Sequence, residues 1–374
     1  MATRLRSFSK VNLGLRIGPV RLDGFHELAT MYQTLALHDS VTVSARRLAP
    51  GEPARIALTT DHPKVPTDGR NTTWQMVKRA LAALGETAEV SIHIEKRLPV
   101  QGGLGAGSAN AATALIALEQ ELLLWDPPVP KLPQPERLRL AAEVGSDVPL
   151  FLVGGAVLGQ GRGEVVSPMP DMRLRSNASR PNVGVPCVVA VPKVGVSTPS
   201  AFREWDARHG FDSCLTPGLT RDRVEQLSLA YSTFAVSSAE GYGPGASGIV
   251  RDGILGPIPD GKLIVASVES RDDLAENTLL ALVHTGIEND FEEVVFPYHS
   301  SLREIKCLLI GENSGQPAIY AALSGSGSAL FGFYWSEADA RAAQQRVQSS
   351  GIRAILTETL TREQYWTRML ADVG

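Results

Sequence analysis

The stretch "LPVQGGLGAGSANAATALIALEQEL", Leu98 to Leu122, places four glycines between Pro99 and Ser108 and then runs into an alanine- and leucine-rich segment. A strand pattern, "AEVSIHIE" (88–95), precedes it, with Val90, Ile92 and Ile94 alternating with polar residues. Strand, glycine loop and helix in that order bring free backbone N–H groups and the positive end of a helix dipole to one point, which suits phosphate. Two familiar forms of the device fail here. A P-loop needs a lysine after its last glycine, and Ser108 follows Gly107; a dinucleotide fingerprint needs a third glycine where Ser108 stands. A flexible loop with ordinary glycine turns remains the competing reading of this stretch alone.

Working outward, the chain has 374 residues, long enough for two domains or for one with a large insertion. Its 43% hydrophobic and 20% charged content is that of a globular protein. A net charge of -4 argues against nucleic acid or an anionic membrane held by bulk electrostatics, while small anionic ligands stay in play. Cys187, Cys214 and Cys307 are far apart and form no CxxC, so neither a disulfide framework nor a zinc cluster is expected. The N-terminal residues lack a signal-peptide pattern, and the longest apolar run, "PLFLVGGAVLG" from Pro149, is half of a membrane span. The expected location is the cytoplasm.

Strands are expected at "DSVTVSA" (39–45), "ARIALTT" (54–60) and residues 88–95. A helix is expected over 71–85, with Trp74, Val77, Ala80 and Leu81 on one face and Gly85 as a left-handed cap. Further helices are expected near 109–125, stopped by Pro127 and Pro128, and over 135–145. The polar bridge 176–186 is taken as the approach to a second domain, which divides the chain into 1–175 and 176–374. Beyond it come a short strand "CVVAV", a helix "PSAFREWDARHG" and an irregular insertion near 208–262. A long helical region from Glu288 to about Ile310 then leads to strand, tight turn, strand, helix and strand, a split βαβ pattern of the ferredoxin-like sort.

Pro99, Gly103, Leu104, Gly105, Gly107, Ser108, Ala111 and Ala112 match the central motif of the GHMP kinase superfamily, and the chain resembles that superfamily in two further motifs. These are "SFSKVNLGLRIGPVRLDGFHEL" (7–28) and "LSGSGSALFGF" (323–333). Within the superfamily, Lys10, Asn12 and the run Asp23 to Glu27 resemble the 4-diphosphocytidyl-2-C-methyl-D-erythritol kinases, as do "GSDVPLFLVGGAVLGQGRGE" (145–164), "GVSTPSAF" (195–202) and "ENDFEEVV" (288–295).

The resemblance implies a two-domain α+β fold, with an N-terminal domain like ribosomal protein S5 domain 2, a ferredoxin-like C-terminal domain and an active site in the cleft between them. It implies ATP as co-substrate with Mg2+, held by Gly102, Gly103, Leu104, Gly105, Ala106, Gly107 and Ser108, with Ser108 near the metal and Asn71 and Lys96 lining the adenine pocket. Asn71 also suits a helix N-cap, and the two roles are compatible. Asp147, in a turn between two apolar segments, is implied as the general base, with Lys10 beside it. Without the resemblance, Lys10 would read as a solvated surface lysine and Asp147 as a turn cap. The small-molecule substrate 4-diphosphocytidyl-2-C-methyl-D-erythritol would meet Phe25 and Phe202 on the two faces of its base, His26 at the base's edge, Thr198 nearby and Asn12 at its hydroxyls. Ala109 and Asn110 depart from the usual serine and aspartate. The implied reaction is phosphorylation of the substrate's 2-hydroxyl; another GHMP small-molecule kinase, of homoserine or mevalonate type, and a catalytically silent binding protein are the alternatives.

Overall fold

Thr3–Val20 forms strand β1 and His26–Arg47 forms β2, an antiparallel pair in register from Thr3 opposite Val43 to Val20 opposite His26. These come from a computed structural model that describes residues 2–49, 51–100, 102–172, 174, 184–209, 287–312 and 314–370. The pattern reading put no strand before residue 39 and left Lys10 on a polar surface segment; both points are corrected. Ser7, Ser9, Lys10 and Asn12 break the apolar alternation that marks a strand, yet all four are buried. Lys10 and Asn12 line an interior cleft rather than solvent.

Strands β3 (Arg55–Thr60), β4 (Ala88–Glu95), β5 (Ala156–Gln160) and β6 (Val165–Pro168) complete a six-stranded sheet in the order β3-β4-β2-β5-β6, with β1 paired to β2. Helices α1 (Thr72–Leu84), α2 (Ala106–Leu123) and α3 (Gln134–Val144) belong to this half of the chain. The cap geometry of α1 follows its sequence: the Asn71 side chain accepts from Thr73 N, and Gly85 sits at φ +68°. Helix α2 starts three residues earlier than its apolar pattern, because Gly107 lies in the first turn, before the buried residues begin.

The second sheet joins β7 (Pro186–Val191), β8 (Tyr320–Leu323), β9 (Leu330–Phe333) and β10 (Arg353–Glu358) in the order β10-β7-β9-β8, with every neighbouring pair antiparallel. That is the ferredoxin-like arrangement. Helices α4 (Thr198–His209), α5 (Phe291–Val295), α6 (Ser300–Ile310) and α7 (Glu337–Ser349) lie on one side of it, and α8 (Arg362–Leu370) returns to pack on β1. The single helix expected from 288 to 310 is two helices: Pro297 lacks the N–H to continue the first, and the second starts after His299. The 176–183 part of the bridge and the insertion from 210 onward lie outside the described residues.

Strand alternation explains how the sheets share a core. Cys187 and Val189 of β7 pack with Val11, Leu13 and Met31 between the two sheets, while Val188 and Ala190 face α4 to α7. Strand β1 enters all three hydrophobic clusters, with Phe8 under the first helices, Val11 and Leu13 between the sheets, and Leu15 and Ile17 under the second helices. A rigid strand therefore carries Lys10 and Asn12 through the junction of the two halves.

Candidate active site

The Lys10 ammonium is buried between two oxygen ligands, Asn12 Oδ1 at 2.7 Å and Asp147 Oδ2 at 3.1 Å. Asp147 reaches it from the turn after α3, and its side chain stays about one-third exposed. Tyr32, opposite Asn12 on β2, donates its hydroxyl to Asp147 Oδ1 at 3.0 Å. Burial and the adjacent Asp147 carboxylate push the Tyr32 phenol well above its ordinary pKa, so it remains a donor. Asn12 is itself fixed by donating to Thr30 Oγ1 at 2.9 Å.

The glycine loop is built against this pair. Lys10 N donates to Leu104 O at 3.0 Å, and Gly105, at φ +69°, precedes α2 without a side-chain cap, leaving the first-turn N–H groups free for an anion. A Cβ on Gly103 would lie 2.2 Å from Ser324 O, so the loop can approach the third motif this closely only as glycine. Ser324 Oγ donates to Gly103 O at 2.9 Å and Ala329 N to Gly102 O at 3.1 Å. All three sequence motifs thus meet at one point.

Two cavities adjoin there. The first, about 350 Å3, is lined by Asn71, Lys96 and the loop from Gly102 through Leu104, Ala106 and Gly107 to Ser108. The second, about 520 Å3, is lined by Lys10, Asn12, Asp147, Phe25, His26, Thr198 and Phe202, and Gly103 borders both. Every residue singled out in the sequence for ATP or substrate contact lines one or the other.

Two details differ from expectation. His26, expected at the edge of a bound base, lies flat on Phe202 with ring centroids 5.0 Å apart and planes 7° apart. Its Nδ1 faces Gly18 O and its Nε2 faces Asp206 Oδ1, each at 3.0 Å, so the protein already occupies both ring nitrogens. Phe25 projects half-exposed, with the Arg162 guanidinium 4.8 Å from its ring centre. Thr198 Oγ1 lies 2.6 Å from Ser326 Oγ, tying α4 to the third motif.

In the first cavity the Lys96 ammonium is bound by the fully buried Asp39 at 2.5 Å. Asp39 also accepts from Arg97 N and Leu98 N, each at 2.8 Å, and from Asn110 Nδ2 at 3.1 Å. An aspartate at position 110 would set a second carboxylate against Asp39, whereas the amide donates to it. Ala109 is buried in the core, whereas Asn110 lines the same cavity as Ser108.

Tyr32, Asp39, Arg162 and Asp206 are the site groups that sequence reading missed. The apolar and polar pattern gives no sign of them, since each acts through a partner distant in sequence.

Among the described residues no cluster of three or more His, Cys, Asp or Glu side chains could hold a metal ion, and no helix is long and apolar enough to cross a membrane. Magnesium needs less than such a cluster, because it takes most of its oxygens from phosphate and water. A half-buried Ser108 hydroxyl beside an uncapped helix start fits that demand.

Residues 71–155 match the GHMP kinases N terminal domain and residues 271–353 the GHMP kinases C terminal domain. The chain is 36% identical to a 4-diphosphocytidyl-2-C-methyl-D-erythritol kinase of Rhodococcus jostii (strain RHA1) over 67% of its own length and 76% of the relative's. It is 30% identical to the kinase of that name from Solibacter usitatus (strain Ellin6076), over 98% and 93% of the two chains. A crystal structure of a 4-(cytidine 5'-diphospho)-2C-methyl-D-erythritol kinase superposes with a TM-score of 0.56 at 26% identity, covering 96% of this chain and 99% of that one. A homoserine kinase from Cytophaga hutchinsonii, at 17% identity and a TM-score of 0.57, shares the fold.

Proposed function

The chain belongs to the GHMP kinases, in the family of 4-diphosphocytidyl-2-C-methyl-D-erythritol kinases, and from that premise we propose how its residues carry out the transfer of a phosphoryl group from ATP to the substrate's 2-hydroxyl. The observation that carries this reading is the Lys10–Asp147 pair, 3.1 Å apart in the second cavity, beside the glycine loop that borders both cavities.

ATP occupies the first cavity. Asn71 and Lys96 line its adenine end, and the N–H groups of the loop from Gly102 to Gly107 and of the first turn of α2 receive the β- and γ-phosphates. Ser108 would hold Mg2+ together with phosphate oxygens. When bound, the metal supplies positive charge against the triphosphate.

The acceptor lies in the second cavity, with its pyrimidine against the aromatic group of Phe25, His26 and Phe202 beside Thr198, and its methylerythritol hydroxyls toward Asn12. Asp147 accepts the hydroxyl proton as the new O–P bond forms and the bond from the γ-phosphorus to the β,γ-bridging oxygen breaks, releasing ADP. Lys10, 3.1 Å from that carboxylate, offsets the negative charge of the transferring group. The base-binding end supplies remote binding energy that holds the hydroxyl in line. We place the reaction in the cytoplasm, on the ground that the cysteine spacing suggests no disulfide framework.

A coupled ADP-release assay tests the reading. Turnover is expected with 4-diphosphocytidyl-2-C-methyl-D-erythritol and not with homoserine or mevalonate; activity on those two alone would remove the acceptor assignment.

A further inference from the structure

We propose that Tyr32 is a positioning residue for phosphoryl transfer: its hydroxyl, donated to Asp147 Oδ1, fixes the carboxylate so that its free lone pairs face the acceptor hydroxyl. The inference deepens the phosphotransfer reading above and rests on it. Asp147 stands on a turn, and a carboxylate held at one oxygen by Lys10 can still rotate about its last bond. A second donor on the other oxygen removes that freedom. Each carboxylate oxygen has two acceptor sites, so both bonds leave room for the substrate.

Tyr32 is built for such a task. It is fully buried within β2 and itself paired to Asn12 on β1 and Val157 on β5. Two glycines clear the space around it: a Cβ at Gly159 would lie 2.4 Å from its Cε2, and one at Gly163 would lie 2.5 Å from its hydroxyl. Lys10 Nζ stands 5.5 Å from its ring centre, so one aromatic ring backs both members of the catalytic pair. Burial and the adjacent Asp147 carboxylate push the phenol well above its ordinary pKa, which suits it to donate to that carboxylate.

The test is Tyr32→Phe, which removes one oxygen and keeps the ring. The expected outcome is a kcat lower by on the order of 10-fold with KM within about 2-fold, because orientation rather than substrate contact is lost. Crystal structures of the ligand-free proteins should show the Asp147 carboxylate in one conformer in the parent and in more than one in Tyr32→Phe. In an Asp147→Asn background the same substitution should have little further effect on kcat. Unchanged kcat, an Asp147 carboxylate as ordered in Tyr32→Phe as in the parent, or a raised KM alone, would overturn the proposal. A parent enzyme inactive on the cytidine substrate would instead remove the acceptor assignment, and the order of the Asp147 carboxylate would still decide the role of Tyr32.

Discussion

The His26 ring and the Phe202 ring are joined as a parallel stack, 5.0 Å between centroids, across the boundary between β2 and α4. The two elements come from different halves of the chain, so the stack forms only when those halves close on each other. Asp206, one turn beyond Phe202 on α4, holds His26 Nε2 at 3.0 Å and sets the ring plane. Phe291 braces Phe202 from its edge, with ring centroids also 5.0 Å apart.

Phe202→Leu should therefore weaken binding of the cytidine substrate without disturbing the chemistry. Aromatic pairs contribute about 0.5–1.5 kcal/mol beyond their buried area, so KM is expected to rise roughly 2- to 10-fold while kcat holds. Steady-state kinetics with the acceptor varied at saturating ATP would check it. A change in the KM for ATP alone would place Phe202 outside the acceptor site.

Asp147→Asn keeps the side-chain shape and removes the base. Turnover is expected to fall at least ~100-fold, while ATP and acceptor still bind in calorimetry. Lys10 loses its charge partner, so the variant should also be slightly less stable; because Asp147 is about one-third exposed, that effect is small. Near-normal turnover would remove the base assignment.

Gly103→Ala and Gly85→Ala separate backbone strain from crowding. Both glycines have positive φ, +76° and +68°, but a Cβ at Gly85 meets nothing within 4 Å, whereas one at Gly103 meets Ser324 O at 2.2 Å. Gly85→Ala is expected to cost about 1–2 kcal/mol in stability and leave ATP binding alone. Gly103→Ala should also displace the loop from Ser324 and weaken ATP by at least ~10-fold, read by calorimetric titration. Equal ATP affinity in the two variants would show that the contact with the third motif does not shape the nucleotide cavity.

The contrast between these glycines bears on what could be read in advance. Gly85 follows an apolar period of 3.6 and was legible as a cap; Gly103 was legible as loop chemistry, but its neighbour Ser324 lies 221 residues further along the chain. The ferredoxin-like half was readable because β8, β9 and β10 are short runs separated by a tight turn and a helix. Strand β1 was not, because Ser7, Ser9, Lys10 and Asn12 put polar groups inside, where pattern rules expect apolar ones. The same cause hid the site's supporting groups. Lys10 and Asp147 could be paired through motif resemblance, but Tyr32 is an aromatic in the mixed run TMYQT (30–34), and only the fold brings its hydroxyl to a carboxylate 115 residues away.

Asp39 is the clearest case of a supporting group that energetics can expose. Its carboxylate is fully buried and gathers the Lys96 ammonium, two backbone N–H groups and the Asn110 amide, joining the interior of β2, the 96–98 turn and α2 behind the nucleotide cavity. Removing one member of a buried ion pair typically costs about 3–5 kcal/mol, because the other charge is left without compensation. Asp39→Ala should destabilise by that amount and weaken ATP as well, since Lys96 and Asn110 line its cavity. Lys96→Met should cost less, because Asp39 keeps three N–H donors. If stranding of the lysine is the cause, the double variant Asp39→Ala/Lys96→Met will be more stable than Asp39→Ala alone in urea unfolding. A double variant no better than the single would assign the loss to the backbone N–H groups of Arg97 and Leu98 instead.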